Sequence, residues 1–165
     1  MDVKDKTVIV AGVAGCGKTT IGRALAERIG WTFVEADEFH SQAAKQKMAA
    51  GEPLNDSDRA DWLALLNAAL LELAPAVLAC SALRHVYREQ LAEGLSARFV
   101  WIRLCPELAR KRVAGRTDHF MPPSLIESQF ATAETPAEAV FLDARDSVAQ
   151  SVQTCLQELD DFVVD

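Results

Sequence analysis

Residues 7–19 constrain this chain more than any other segment. Thr7-Val8-Ile9-Val10-Ala11 is a short, continuous, β-branched apolar run, the pattern of a strand buried on both faces. Gly12-Val13-Ala14-Gly15-Cys16-Gly17-Lys18-Thr19 comes next without a gap and satisfies G-x-x-x-x-G-K-[ST] at every fixed position. From Lys18 the pattern is helical, with apolar residues at 21, 25 and 29 and a stop at Gly30. Strand, glycine-rich turn and helix in that order wrap backbone N–H groups around a phosphate, and the helix N-terminus adds its partial positive charge. Lys18 is placed for the β- and γ-phosphates, Thr19 for Mg2+ and Thr20 for the α-phosphate. Gly12, Val13, Ala14, Gly15, Cys16, Gly17, Lys18, Thr19 and Thr20 are therefore the expected nucleotide-binding residues. A turn that merely joins strand to helix is the competing reading, and Lys18 with Thr19 argues against it. Cys16 fills a variable slot as a small side chain, although a helix N-terminus beside a lysine is also a place where a thiol pKa can fall.

The rest of the chain repeats the alternation. Strand patterns lie at 31–34, 76–80, 99–104 and 139–142. Helical patterns cover 41–50, 84–93, 106–114 and 124–132, with a further one capped by Ser57 and running to about 73, and a closing one over 147–159 capped by Asp146. Residues 115–123 are irregular. Strands alternating with helices predict one α/β domain over residues 1–165, with a five-stranded parallel sheet covered on both faces. No repeat, low-complexity tract or linker interrupts it.

Charge narrows the ligand. Seventeen Lys and Arg against 24 Asp and Glu give a net charge of −7, so general binding of nucleic acid or an anionic membrane is excluded unless basic groups converge locally. They converge at residues 103–116, where Arg103, Arg110, Lys111, Arg112 and Arg116 face the single Glu107, a local charge of +4. No apolar stretch approaches the ~20 residues of a membrane helix, and the mixed-charge start of the chain is no signal segment. The four cysteines, Cys16, Cys80, Cys105 and Cys155, are scattered, which argues against a disulfide framework or zinc site and for small buried hydrophobes. A cytoplasmic location is expected.

Guanine-nucleotide switches carry D-x-x-G and N-K-x-D, and neither string occurs. The third strand ends in Cys80-Ser81-Ala82, with no acid for a metal, which points to small kinases whose metal is held by the loop hydroxyl, phosphates, waters and an acid elsewhere. Glu35-Ala36-Asp37-Glu38-Phe39-His40, at the end of the second strand, supplies such acids at the ligand crevice of a parallel sheet. Asp37 is placed to accept the proton of an attacking hydroxyl and Glu35 to order metal-bound water; a solvated acidic turn is the plain alternative. Arg84 and Arg88, four apart, are expected on one helix face near the crevice, suited to a carboxylate or phosphate. The basic segment is where a mobile lid over about 110–132 would close on the phosphates, its arginines offsetting charge that moves in the transition state. A solvated basic helix face is the bland reading, and a lone loop histidine such as His119 is by itself incidental.

Several longer strings resemble the bacterial-type gluconokinases, a shikimate-kinase-like family of P-loop kinases. Glu35 to His40 resembles D-x-D-x-x-H. Lys47-Met48-Ala49-Ala50-Gly51-Glu52-Pro53-Leu54-Asn55-Asp56-Ser57-Asp58-Arg59 with Trp62-Leu63 resembles K-M-x-x-G-x-P-L-x-D-x-D-R-x-x-W-L, and Cys80 to Arg84 with Tyr87-Arg88 resembles C-S-A-L-[KR]-x-x-Y-R. Arg116, His119-Phe120-Met121, Ser128-Gln129-Phe130 and Pro136 resemble the lid and the segment after it. The resemblance implies a three-layer P-loop kinase fold with a mobile lid, and ATP- and Mg2+-dependent phosphorylation of D-gluconate at its 6-hydroxyl. It implies Lys18, Asp37 and Arg116 as catalytic residues, Arg112 on the nucleotide, and Asp37, His40, Arg59, Ser81, Arg84, Arg88 and His119 around the substrate. A homodimer is also implied. Departures occur at Glu35, where aspartate is usual, at Ser41 and Ala44, which weaken the acceptor-pocket details, and at Asp61. A related kinase for another hydroxy acid such as shikimate is the nearest rival, but a shikimate kinase would carry a glycine triplet at Cys80-Ser81-Ala82. A regulatory nucleotide-binding protein is disfavoured by Lys18, Asp37 and the basic segment.

Overall fold

The computed structural model describes residues 3–115 and 124–164. Strands β1 (Lys6–Ala11), β2 (Thr32–Glu35), β3 (Ala76–Ala79), β4 (Ser96–Arg103) and β5 (Val140–Asp143) form one sheet in the order β2-β3-β1-β4-β5. Every pairing is parallel. All six residues of the central β1 are buried, which is why its sequence is apolar without alternation. Its side chains still point to two different cores. Ile9 and Ala11 enter one face with Trp62, Leu63, Leu66 and Leu70 of α3 (Asp56–Leu73) and Tyr87 and Leu91 of α4 (His85–Ala92). Val8 and Val10 enter the other with Leu25 and Ala26 of α1 (Lys18–Ile29) and Cys155 of α7 (Val148–Glu158). The short α8 (Asp160–Val163) adds Phe162 to that second core. The expected three-layer α/β fold is therefore the one the chain adopts.

Three helices stand at the C-terminal edge of the sheet: α2 (Gln42–Ala49), α5 (Pro106–Ala114) and α6 (Ser124–Thr132). The helices α5 and α6 occupy the segment expected to form a lid, and Arg110 on α5 pairs with Glu127 on α6 at 2.7 Å. Arg116 and His119 lie outside the described residues.

Local chemistry places several boundaries differently from the sequence pattern. The cap of α3 is Asn55, not Ser57: Asn55 accepts the Asp58 N–H at 2.8 Å, and the Asp58 carboxylate accepts the Asn55 N–H at 3.1 Å. This reciprocal box satisfies two otherwise unpaired amides, so the helix starts earlier than a cap at Ser57 would place it. Asp58 also binds Lys47 at 2.9 Å, which ties α2 to α3. Likewise α7 is capped by Ser147 with Gln150, not by Asp146. The strand β4 begins at Ser96, three residues early, because 96–98 pair with Lys6, Thr7 and Val8. Arg84 precedes α4 in extended conformation as its N-cap, so Arg84 and Arg88 do not share a helix face.

Asn55→Ala removes one arm of the α3 box. It is expected to cost about 1 kcal/mol, lowering the melting temperature by about 2–4 °C. A calorimetric scan showing no change would contradict the assignment of this cap.

Candidate active site

A cleft opens above the ends of β1, β2 and β3, where the chain's three chemically distinctive strings meet. Its floor is the loop after β1. Gly12 has φ +149°, and a Cβ there would lie 2.8 Å from Cys16 Sγ and 3.0 Å from the Ile102 carbonyl, so only glycine admits this path. The Gly12 N–H donates to the Ser81 carbonyl at 3.3 Å, fastening the loop to the segment after β3. Gly17, at φ +100°, caps α1 without a side chain, leaving the first amides of that helix to a ligand. Ala14, Gly15, Gly17, Lys18, Thr19 and Thr20 line the cleft, whereas Gly12, Val13 and Cys16 lie beneath it. Cys16 is 1% exposed and packs in the core with Val8, Val10 and Ile21, so it is a small buried hydrophobe. Cys80 lines the cleft, but burial pushes its thiol up to about 12, which disfavours the thiolate.

The second strand brings its carboxylates against the loop. Glu35 ends β2 and accepts the Thr19 hydroxyl hydrogen and, at 3.4 Å, the Asp37 N–H. Burial raises the Glu35 pKa; the Thr19 hydrogen bond opposes this shift, and the neighbouring charge of Asp37 reinforces it. The chain then makes a short 3-10 turn over Ala36–Phe39, which the sequence pattern does not reveal. That turn holds Asp37 in the cleft with its side chain 55% exposed. His40, just beyond, stacks on Trp62 with ring centroids 4.1 Å apart and places Nε2 3.7 Å from Asp37 Oδ1. The Trp62 N–H donates to the Ala36 carbonyl at 2.9 Å, so this indole fixes both the turn and the imidazole. Burial lowers the His40 pKa, and its buried Nδ1 has no hydrogen-bond partner. The imidazole thus lines the cleft beside Asp37 while its Nδ1 is closed off within the fold.

The third wall carries the basic groups. The guanidinium groups of Arg59 and Arg84 each lie 5.4 Å from the centre of the Tyr87 ring. Arg59 also donates to the Tyr87 hydroxyl at 3.2 Å. Arg59, Tyr87 and Ser81 line the cleft. Arg84 is not among the residues that line it and is paired with Glu134 at 3.3 Å. Arg88 is elsewhere: it is 4% exposed, donates to the Ala82 and Glu134 carbonyls at 2.8 Å each, and lies outside the cleft lining. Its target Ala82 has φ +40°, a strained conformation for alanine that these contacts hold. Arg112 is similarly engaged with backbone, donating to the Gly15 carbonyl at 3.1 Å and the Ala144 carbonyl at 2.7 Å.

Sequence reasoning passes over four contributors. Trp62 and Tyr87 sit inside the family-like strings, where they count as spacing rather than as walls. Gln129, whose Oε1 accepts the Ala14 N–H at 2.7 Å, sits in Ser128-Gln129-Phe130. Glu134 gives no signal at all, since its contacts with Leu83, Arg84, His85 and Arg88 exist only in the fold.

The shikimate kinase family model matches residues 14–160. A gluconokinase of Gluconobacter oxydans is 46% identical over 143 residues, covering 84% of this chain and 80% of the relative. The crystal structure of a gluconokinase from Sinorhizobium meliloti superposes with a TM-score of 0.86 at 35% identity, covering 98% of this chain and 95% of that one. An unliganded sugar kinase from a Janibacter species gives a TM-score of 0.85 at 39% identity, with 94% of each chain covered. The phosphate loop, the acidic turn and the paired arginines thus stand on a backbone and sequence shared with known phosphotransferases, and the chain belongs to the shikimate kinase family, on its gluconokinase branch.

Proposed function

We propose that this enzyme transfers the γ-phosphoryl group of ATP to the 6-hydroxyl of D-gluconate, giving 6-phospho-D-gluconate and ADP. One observation carries the reading: a single cleft sets the phosphate loop with Lys18 and Thr19 against Asp37 and His40, with Arg59 and Tyr87 on the remaining wall. That arrangement supplies a site for a polyphosphate, a base for a hydroxyl, and charge for an acid.

The uncapped N-terminus of α1 and the cleft-lining loop amides suit ATP, and Arg112 supports the loop through the Gly15 carbonyl. Lys18, now donating to the Val13 carbonyl at 3.2 Å, exchanges that partner for phosphate oxygens. The touching Thr19 hydroxyl and Glu35 carboxylate are hard oxygen donors that suit Mg2+ shared with the nucleotide. Bound there, Mg2+ would neutralise charge on the β- and γ-phosphates. Asp37 orients the attacking hydroxyl and accepts its proton. Neutral His40 and Ser81 line the cleft for the polyol, Arg59 lines it for the carboxylate, and Arg84 enters as the resemblance implies. We assign Arg88 to holding the Ala82 turn from behind. Arg116 and His119 enter as the resemblance implies, on the transferred phosphoryl group and the acceptor. We place the reaction in the cytoplasm, where the free thiols Cys16, Cys80, Cys105 and Cys155 fit a reducing medium. We also propose a homodimer, on the family resemblance alone; sedimentation velocity reads it directly.

A coupled ADP assay with Mg2+, ATP and a panel of sugar acids plus shikimate should show turnover with gluconate. No ADP formed with gluconate would overturn the reading. Asp37→Asn should lower kcat by about 100-fold or more and leave ATP affinity within about threefold; near-normal turnover removes Asp37 from its role.

The raised pKa of Glu35 has its own signature. A carboxyl that is easier to protonate in the folded state contributes stability that is complete below its ordinary value of 4.5 and lost as pH rises through the raised one. Ionised Glu35 therefore burdens the fold at pH 8. Glu35→Gln should raise the melting temperature there, with the gain vanishing towards pH 4. A variant that melts lower at pH 8 would show that the Thr19 bond outweighs desolvation.

A further inference from the structure

The helix α6 forms a side of the cleft through Leu125, Ser128, Gln129 and Thr132. Ile126, with Phe130 beside it, packs against Ala14 of the phosphate loop and against Ala109 and Val113 of α5. Leu125 packs instead with Ala44 and Met48 of α2 and with Leu54, on the acceptor side. Just past its end, the Glu134 N–H donates to the Leu83 carbonyl at 2.7 Å, and the Glu134 carbonyl accepts from Arg88. Between these apolar contacts, Gln129 lines the cleft and accepts the Ala14 N–H at 2.7 Å. Residues 126, 129 and 130 share one helix face, so the hydrogen bond lies within the apolar contact with Ala14.

We propose that Gln129 is a positioning residue for phosphoryl transfer, pinning the acceptor wall to the phosphate loop through the Ala14 amide. The proposal rests on the kinase reading above. Its physical basis is the difference between the two kinds of contact. Dispersion between Ile126, Phe130 and Ala14 is non-directional and tolerates sliding of one surface over the other. A hydrogen bond to a backbone amide fixes both distance and direction. Transfer needs the attacking oxygen about 3–3.5 Å from its target, and a misplacement of about 1 Å can cost about 100-fold in rate. Leu125, Ser128 and Thr132 of α6 line the cleft, as do Met48 and Leu54, with which Leu125 packs, and the donor sits on the loop. Thr19 with Glu35 ties the loop to β2, and Gly12 with Ser81 ties it to the segment after β3; Gln129 is the polar link from α6, and the amides of Gly15 to Thr20 remain for the nucleotide.

Gln129→Met keeps side-chain length and apolar packing but removes the acceptor oxygen; Gln129→Asn keeps the amide but falls one methylene short. Both should lower kcat for gluconate about 10- to 100-fold. The KM for ATP and the Kd of a non-hydrolysable ATP analogue should stay within about twofold, because Lys18, Thr19 and the amides of Gly15 to Thr20 are kept. Hydrolysis of ATP by water, measured without gluconate, should also stay within about twofold, since water needs no acceptor wall. Unchanged kcat in both variants overturns the proposal. So does a loss that falls on ATP affinity, or one that water-directed hydrolysis shares equally, because either would place Gln129 in the donor site. If the Met variant does not fold, the Asn variant decides by the same measurements. Wild-type enzyme that hydrolyses ATP but ignores gluconate would contradict the substrate reading alone, and the same comparison is then made with the panel acid that is turned over.

Discussion

The site depends on the burial of β1 at the middle of the sheet. With β3 on one side and β4 on the other, β1 cannot shift register without breaking ladders on both edges. The loop that leaves it is therefore delivered to one point in space. Gly12 completes the constraint, because its backbone passes so close to Cys16 and Ile102 that no Cβ can be fitted. Everything catalytic is referred to that point: the helix amides of α1, Lys18, Thr19, and through Thr19 the carboxylate of Glu35.

From there the cleft is assembled by a few directional contacts between elements far apart in sequence. Trp62 on α3 reaches back to the Ala36 carbonyl and stacks on His40. Arg88 and Glu134 hold the turn after β3. Gln129 ties α6 to Ala14. The arginines that the sequence offers for anions divide into three kinds. Arg110 and Arg84 are paired with Glu127 and Glu134, Arg112 and Arg88 are bound to carbonyls, and Arg59 lines the cleft beside Tyr87. Positive charge in an acidic chain is thus used for scaffolding as well as recognition, and only the fold distinguishes the two uses.

Much of the fold is legible in the sequence because its signals are local. The uninterrupted apolar run of β1 and the helical spacing of α1 each need only neighbouring residues. The phosphate loop is legible for the same reason, as its chemistry requires fixed residue types at fixed spacing. What escapes depends on partners distant in sequence or on competing local bonds. The cap of α3 is misplaced by pattern alone because Ser57 is an equally good cap residue, and only the reciprocal bonds of Asn55 and Asp58 decide. Arg84 and Arg88 are separated because the helix begins between them. The bond of Gln129 to Ala14 spans 115 residues, which no periodicity can report.

The central claim is that one cleft moves a γ-phosphoryl group onto the primary hydroxyl of gluconate. Phosphorus NMR of a mixture of enzyme, Mg2+, ATP and gluconate tests it at the atom that matters. The expected result is a phosphomonoester resonance, growing as ATP is consumed, whose phosphorus couples to the two methylene protons at carbon 6. Coupling to a single methine proton, or the appearance of inorganic phosphate alone, would contradict it.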